Sequence, residues 1–403
     1  MTWGKDLNVI PAKLKIKIGR WTFNGVIGRL TNKKRVLTNR LRRTLYVRAE
    51  RRRPIGSQEP FGLARSRVFI SVRIPNLNDY NCYSGRLAKR LDHHFLVEEY
   101  FPEKRRDLAG RSHRHFDVFN LHHIDELKLD YFETLQLISE LRDAHTKIVV
   151  TAHDLTPHSK QPEVWDPIFQ AWFGSADGII HHSNWGMSVL RSRYQIPEST
   201  RHAIIYNRGG SDEVGVTTSA QRARAEAALR LNKIPLRIGI VGHPRKERLV
   251  TEFLEGFAKT ERSDMEIVCW SLSDQDVVPN DPRIVIAKEQ KYVLESTFRR
   301  RLRACDIVAI PYREDGEMLT SGVLRSAVEV GLGILRTDWA FLKEVAGDVG
   351  IYIGRDAESF ATGLSSLLAE DAGRAKRASL ELKNLSNWRT TAQGYGKFFE
   401  SLL

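Results

Sequence analysis

Short apolar runs alternate with stretches of helical periodicity from residue 67 onward. Runs rich in Val and Ile predict strands that are buried on both faces, and helical connections between them predict parallel sheets. Helices are expected from about residue 86 and over residues 131–144. The first series of predicted strands is Val68–Val72, Phe116–Leu121, Lys147–Thr151, Gly178–His181 and Ala203–Tyr206.

A second series of the same kind follows a break over residues 208–235, which contains glycines and a charged, Ala-rich stretch. Two doubly wound domains in tandem place ligands in a cleft at the carboxyl ends of their strands. We predict domains at 66–210 and 236–385, a linker at 211–235 and a closing helix at 386–403. The second series of predicted strands is Arg237–Gly242, Glu266–Trp270, Arg283–Ile286, Asp306–Pro311, Gly333–Leu335 and Gly350–Ile353.

The net charge of +14 lies in residues 1–53, within an N-terminal extension that we predict over residues 1–60. Residues 1–53 carry 16 Lys and Arg against two acidic residues, so the rest of the chain is neutral and gives no reason to expect a nucleic-acid partner. Apolar residues such as Leu14, Ile18 and Trp21 recur among the cations, which is typical of amphipathic helices on an anionic membrane. An arm packed on the protein itself, a disordered basic tail and a nucleic-acid contact are the alternatives.

Three widely spaced cysteines, Cys82, Cys269 and Cys305, form neither a disulfide framework nor a metal-site pattern, which favours a reducing cytoplasm. No run of 18 apolar residues predicts a transmembrane helix, and the N-terminus lacks the apolar core of a secretory signal. Its Arg-rich, acid-poor start leaves a transit peptide as an alternative, although few serines count against one. We expect a cytoplasmic protein, peripheral at the inner membrane face if the extension binds lipid.

Two polar loops that follow predicted strands carry groups suited to a diphosphate. The first runs from Gly242 to Arg248 and includes Arg245 and Lys246, so three cations stand at a strand–helix junction. The alternative for this loop is a solvated basic turn.

The second loop ends at Thr320-Ser321-Gly322, which opens a predicted helix. The glycine lets a ligand approach the backbone amides there, although Thr and Ser are also ordinary N-caps. Glu329, two turns further along, is either an acceptor for ribose hydroxyls or a surface residue.

At these loops the sequence resembles the retaining glycosyltransferases of family 4, also called glycosyltransferase group 1. The donor-phosphate segment of that family is similar to "LRIGIVGHPRKERLVTEFLEGF", where His243 takes the family's Arg position and Arg248 its Lys position. The donor loop is similar to "CDIVAIPYREDGEMLTSGVLRSAVEVGLGIL", where Glu329 matches the second glutamate of a paired motif. The resemblance implies a GT-B fold, in which two Rossmann-like domains face a cleft, and a ribose contact for Glu329.

The sequence departs from the family where the first glutamate of the pair should stand, because Ser321 occupies that position. In the family this carboxylate approaches the donor sugar. Three alternatives follow: Ser321 and neighbouring amides replace it, Glu317 reaches into the site, or the donor differs.

The N-terminal half resembles the same family. In "VVTAHDLTPH" the match to the histidine over the donor sugar and phosphate is His153, with Asp154 beside it. In "AIIYNRGG" Asn207 matches the asparagine of a conserved turn of the family, and Tyr83-Ser84-Gly85 occupies the place of its acceptor loop. "SADGIIHHSNWGMSVLRSRYQIP" and "SNWRTTAQGYGKFFESLL" resemble two further segments, the second being the closing helix.

Six histidines cluster at strand ends of the first domain, but their spacing does not suit a tetrahedral metal site, and neighbours on a strand point to opposite faces. They are His122, His123, His153, His158, His181 and His182. We expect no metal and no cofactor other than the nucleotide-sugar donor. The resemblance implies sugar transfer with retention. The basic amphipathic extension suggests an anionic membrane, and hence a glycan or lipid-linked acceptor, as in polysaccharide or glycolipid synthesis. A non-catalytic sugar-nucleotide or glycan-binding protein of the same fold is the alternative, for which the Ser321 departure is the main support.

Overall fold

The structure is a computed structural model, and the residues it describes all lie within Arg65–Leu403. They are residues 66–71, 83–91, 95–100, 116–157, 161–207, 214–245, 247–287, 293, 295–313 and 318–403. The predicted basic extension 1–60, together with Lys246 and Glu317, lies outside the described residues.

The first sheet has six parallel strands in the order β2-β1-β3-β4-β5-β6. Side chains along β3 point alternately to the two faces of this sheet. Phe119 and Leu121 pack into the core on one face, and Val118 packs into the core on the other. Its strands are β1 Arg67–Ser71, β2 Leu96–Tyr100, β3 Val118–Leu121, β4 Lys147–Thr151, β5 Gly178–His181 and β6 Arg201–Ile204.

The second sheet also has six parallel strands, in the order β12-β11-β10-β7-β8-β9. Apolar residues fill both of its faces as well. Its strands are β7 Leu236–Ile240, β8 Met265–Cys269, β9 Ile284–Ile286, β10 Ile307–Ile310, β11 Gly333–Arg336 and β12 Gly350–Tyr352.

Helices cover both sheets and make the crossovers that parallel strands require. The described helices are α1 Tyr83–Leu91, α2 Tyr131–Asp143, α3 Pro162–Ser175, α4 Asn184–Arg193, α5 Ser219–Leu229, α6 Val250–Ala258, α7 Glu295–Arg303, α8 Gly322–Glu329, α9 Ala340–Ala346, α10 Ala357–Ser365, α11 Ala369–Leu385 and α12 Trp388–Leu402, with 3-10 turns at Ile124–Leu127 and Gly347–Val349.

The last helix, α12, returns to the first sheet. Its Tyr395 and Phe399 are buried beside Phe95 and the residues of α1. A Cβ at Gly178 would lie 2.7 Å from the Phe398 ring, so only a glycine in β5 allows so close a helix. The C-terminal helix therefore packs on the first sheet, although it follows the strands of the second sheet in the chain.

The predicted architecture of two doubly wound parallel sheets is confirmed. Helix α5 lies within the stretch predicted as a linker, residues 211–235, and begins at a capping box between Thr218 and Gln221. The domain boundaries themselves stay a prediction. In the described part of the chain no helix is long and apolar enough to cross a membrane.

Candidate functional site

The two loops singled out in the second domain meet at the carboxyl ends of β7 and β10, which are neighbours in the sheet. The Leu249 amide donates to the Pro311 carbonyl at 2.6 Å, and the Arg313 amide donates to the Glu247 carbonyl at 2.8 Å. Gly242 has a φ of +104°, and a Cβ there would lie 2.7 Å from the Val323 side chain. The glycine is therefore needed to bring the first loop against α8.

Arg248 lies at the centre of this junction. Its side chain is 4% exposed, its Nη1 donates to the Ser271 hydroxyl, and its guanidinium stands 5.5 Å from the centre of the Tyr312 ring. Its Nε and Nη2 are buried and have no hydrogen-bond partner among the residues that the structure describes. A buried cation with unsatisfied donors is costly unless an anion is bound, which marks Arg248 as a candidate anion ligand.

Other described residues of the predicted second-domain site lie on the same two loops. Arg245 is half-buried, and its Nη1 has no hydrogen-bond partner within the described ranges. Ser321 is buried as the N-cap of α8, where its hydroxyl accepts from the Leu324 amide at 3.4 Å. Gly322 is exposed, and a Cβ there would meet nothing within 4 Å, so open space faces the first turn of the helix.

The first domain contacts the second of these loops directly. The Leu319 amide donates to the His153 carbonyl at 3.2 Å, and Asp154 forms an antiparallel bridge with Met318. The Asn207 amide nitrogen donates to the Thr320 hydroxyl at 3.2 Å. The structure thus places three predicted residues of the first domain, His153, Asp154 and Asn207, against the loop that contains Thr320.

His153 belongs to a buried hydrogen-bonded chain of histidines. The Ile205 carbonyl can only accept, so at 2.8 Å it takes the proton of His182 Nδ1. Neutral His182 then accepts at Nε2 from His153 Nδ1 at 3.3 Å, and neutral His153 accepts at Nε2 from His122 Nδ1 at 3.1 Å. Both ring nitrogens of His153 are therefore held by other histidines, while the His123 ring stacks on it at 4.7 Å.

The residues predicted as an acceptor loop form the first turn of α1 instead, so this loop prediction was wrong, and the turn begins in an aromatic cluster. Tyr83 and Ser84 are buried, and Gly85 is half-buried. The Tyr83 hydroxyl donates to that of Tyr395 at 3.3 Å, and burial raises the pKa of the Tyr83 phenol. Arg325 of α8 stands 5.8 Å from the centre of the Tyr83 ring. Arg325 was not among the predicted site residues, although its position four residues after Ser321 places it on the same face of α8.

Glu329 is buried at the end of α8 and is bound by a residue of the facing domain. Its Oε1 accepts from Arg86 Nη1 of α1 at 3.0 Å. Sequence reasoning did not single out Arg86, because no local pattern links two residues that lie so far apart in the chain.

A second carboxylate also spans the cleft. The Glu344 side chain of α9 accepts from the Asn184 amide at 2.7 Å and from the Trp185 amide at 2.9 Å, so it lies at the N-terminus of α4. Burial alone would raise the pKa of Glu344, but these amide hydrogen bonds outweigh burial and the pKa is lowered. Glu344 therefore docks α4 as an anion.

The fold matches solved structures at low sequence identity. HepE of Anabaena, in a complex described as containing UDP-glucose, has a TM-score of 0.60 at 12% identity, covering 83% of this chain and 99% of that one. A glycosyltransferase of Rickettsia africae has a TM-score of 0.60 at 12% identity, covering 84% and 99%. Sucrose-phosphate synthase of Thermosynechococcus elongatus has a TM-score of 0.56 at 14% identity, covering 75% and 78%.

The fold is GT-B. No family model matches the sequence, and no curated protein matches it either. The likeness therefore shows the two-domain architecture with its cleft, which is what the resemblance in the sequence implied.

Among the described residues, no group of three or more His, Cys, Asp or Glu side chains is arranged to hold a metal ion. Asp274-Gln275-Asp276 is an acidic triplet after β8 that sequence reasoning missed. Asp276 accepts from the amide and the hydroxyl of Ser273, which makes it part of a local turn.

Acid should destabilise the protein through the histidine chain. Burial is the main cause that lowers the pKa of His122 and His153 well below 6.5 and that of His182 to about 4. The unfolded chain binds these protons from about pH 6.5 downward, so the stabilisation present above that pH is lost as the pH falls toward 4. Each histidine adds up to about 1.4 kcal/mol per pH unit to this loss.

Urea unfolding at pH 7, 6 and 5 measures this effect. The slope of unfolding free energy against pH should be smaller in His182→Gln than in the parent chain. The exposed His145 provides a control, because His145→Gln should leave the slope unchanged. Equal slopes in all three proteins would contradict the assignment of neutral buried histidines.

Proposed function

We propose that this protein is a glycosyltransferase that moves a sugar from a nucleotide-sugar donor to a glycan or lipid-linked acceptor. The observation that carries the proposal is Arg248, a buried guanidinium with two unsatisfied nitrogens at the carboxyl ends of the second sheet. In doubly wound folds this edge is where ligands bind, and phosphate is an anion that satisfies such a cation. The Anabaena protein of the same fold has UDP-glucose as its described ligand.

In this proposal the donor diphosphate binds Arg248 and Arg245, with Lys246 of the same loop, and also contacts the amides of Ser321 and Gly322. When the bond between the sugar C1 and the phosphate oxygen breaks, negative charge grows on the departing diphosphate. Preorganised cations and helix amides stabilise that charge, so the reaction needs neither a metal ion nor another cofactor.

Glu329 would hold the ribose hydroxyls, and Glu317 or Ser321 would face the donor sugar in place of the missing carboxylate. His153 supports the site from the facing domain. Because both of its ring nitrogens are hydrogen-bonded to histidines, its ring orientation is fixed, while its carbonyl holds the donor loop at Leu319. Retention of the anomeric configuration, and a hexose as the transferred sugar, are supported by the family resemblance.

The acceptor would enter from the first domain, past Gly85, Asp154 and Asn207. Helix α2 follows β3 and begins at the carboxyl edge of the first sheet, so its first turn lies on the cleft side. That turn carries Phe132, which is 80% exposed, and Tyr131, which is 41% exposed. Exposed aromatic residues together with a basic N-terminal extension suit an anionic membrane and a lipid-linked acceptor of polysaccharide or glycolipid synthesis.

A donor panel tests the proposed function. The purified chain is titrated with UDP-, GDP-, ADP- and dTDP-sugars, with and without EDTA, and hydrolysis is followed together with binding. We expect binding or turnover of one nucleotide class that EDTA does not change. Absence of binding to every donor, in a protein shown to be folded, would favour the non-catalytic alternative.

That alternative is a sugar-nucleotide or glycan-binding protein of the same fold. The observation in its favour is that Ser321 serves as a helix N-cap at the position where the family has a carboxylate. Donor binding without any turnover, in the presence of a range of glycan and lipid acceptors, would support it.

Membrane attachment is expected to depend on the first turn of α2. Phe132→Ser in the full chain should lower binding to vesicles of anionic phospholipid about 5- to 30-fold, because an apolar side chain contributes roughly 1–2 kcal/mol when it leaves water. Flotation of the protein with vesicles measures the change. Leu385→Ser is the matched control, since Leu385 is similarly exposed at the end of α11. If both variants lose vesicle binding equally, or neither loses any, the first turn of α2 does not contact the membrane specifically.

A further inference from the structure

Arg86 connects the predicted acceptor loop with the predicted ribose carboxylate. It follows Tyr83-Ser84-Gly85 in α1, and its guanidinium forms ion pairs with Glu329 of α8 and Glu295 of α7. The Nη1–Oε1 distance to Glu329 is 3.0 Å. The two carboxylates belong to the second domain, so a residue of the first domain bridges them across the cleft.

The ion pairs form a four-residue network that is largely shielded from water. Arg299, one turn from Glu295 in α7, pairs with Glu295 and lies 3.7 Å from Glu329 Oε1. The exposed fractions of the side chains are 5% for Glu329 and 19% for Arg86. Two cations balance two carboxylates, and Arg86 is the member that the first domain contributes. The other three members would remain paired in the second domain without it.

We propose that Arg86 is an interdomain latch that holds Glu329 when no nucleotide is bound and must release it when the donor nucleoside enters. This rests on the proposed function, because Glu329 is the residue expected to accept hydrogen bonds from the ribose. The Glu329 side chain is only 5% exposed and Arg86 holds its Oε1 at 3.0 Å, so ribose hydroxyls reach this carboxylate only after a residue that covers it moves, and Arg86 is the covering residue of the other domain. Nucleoside binding and opening of the Arg86 pair are therefore coupled.

The coupling predicts that the latch weakens nucleotide binding in the parent protein. When the binding-competent state is a fraction f of the population, the apparent dissociation constant is the intrinsic value divided by f. A latch closed in most molecules, with f of about 0.1–0.2, raises the constant about 5- to 10-fold. Pyrophosphate, which lacks ribose, does not compete with Arg86 and escapes this effect.

Calorimetry of Arg86→Gln with UDP and with pyrophosphate tests the latch, if UDP is the nucleotide that the donor panel selects, and otherwise with the diphosphate selected. We expect the dissociation constant for the nucleotide to fall about 5- to 10-fold and that for pyrophosphate to stay unchanged. Arg193→Gln is the matched control, because Arg193 pairs with Asp166 inside the first domain at 2.9 Å. An unchanged or weaker nucleotide affinity in Arg86→Gln would overturn the proposal.

Hydrogen exchange of the ligand-free protein separates this proposal from the proposed function. Loss of the latch should speed exchange in α1 and in α7 of Arg86→Gln, and not in Arg193→Gln. If exchange in Arg86→Gln is faster but no variant binds a nucleotide, the result supports the latch and contradicts the proposed function. Unchanged exchange in both helices would overturn the latch, whatever the nucleotide affinities.

Discussion

Arg248→Gln is expected to remove most donor turnover while leaving the protein at least as stable as before. The guanidinium is buried with two nitrogens that no described residue satisfies, so in the empty protein it contributes a desolvation cost. With the donor bound, the same nitrogens would stabilise the charge that develops on the diphosphate. Loss of one such preorganised donor typically lowers kcat about 100- to 1,000-fold.

The measurement pairs steady-state kinetics on the donor found in the panel with urea unfolding of the same protein. Arg313→Gln is the control, because Arg313 comes from the neighbouring donor loop but is exposed and pairs with Glu252 at 2.9 Å. It should change kcat by less than about threefold, in line with the small contribution of surface ion pairs. If Arg248→Gln unfolds the protein while the remaining folded fraction turns over normally, Arg248 is a structural residue and the diphosphate site lies elsewhere.

The sheets were readable from the sequence because parallel strands are buried on both faces. The run Lys147–Thr151 has an apolar centre, Ile148–Val150, and the structure places β4 over the predicted residues. The two edge strands of the first sheet, β2 and β6, departed from this pattern. Strand β2, Leu96–Tyr100, contains two consecutive glutamates and was not predicted. Strand β6 begins at Arg201, two residues before the apolar run, since backbone hydrogen bonds continue where burial does not.

Part of the candidate site followed from topology. His122, His153 and His182 each stand one or two residues beyond the ends of β3, β4 and β5, and these strands are neighbours in the sheet. A sequence that predicts adjacent parallel strands also predicts that residues at their carboxyl ends lie close together. The order of donors and acceptors among the rings did not follow, because it depends on the Ile205 carbonyl as a fixed acceptor.

The contacts between the domains had no sequence signal. The pair Arg86–Glu329 and the contact of Glu344 with the N-terminus of α4 join helices of the two domains, and no local pattern encodes how the domains are placed. A charged residue in a helix is ordinarily solvated, so a sequence gives no reason to pair these positions. Such pairs depend on the docking of whole domains, which hydrophobic periodicity does not specify.

Arg237→Met is expected to destabilise the protein by about 3–5 kcal/mol, the range for removing one partner from a buried ion pair. The Arg237 side chain is fully buried, and its Nε and Nη1 donate to Glu266 at 2.7 Å and to Glu226 at 2.6 Å. Methionine fills similar space but leaves both carboxylates without this partner. Urea unfolding measures the change, and Arg374→Gln, at an exposed pair with Asp371, should stay within about 0.5 kcal/mol.

A further comparison separates stability from function. Arg237 lies near the amino end of β7, whereas Arg248 follows its carboxyl end. The two arginines therefore lie at opposite ends of the same strand. Arg237→Met should therefore keep the donor affinity of the folded protein, and adding Glu266→Leu should recover part of the lost stability because one unpaired carboxylate is removed. Reduced donor affinity at a temperature where the variant is fully folded would show that the ion pairs of Arg237 also shape the cleft.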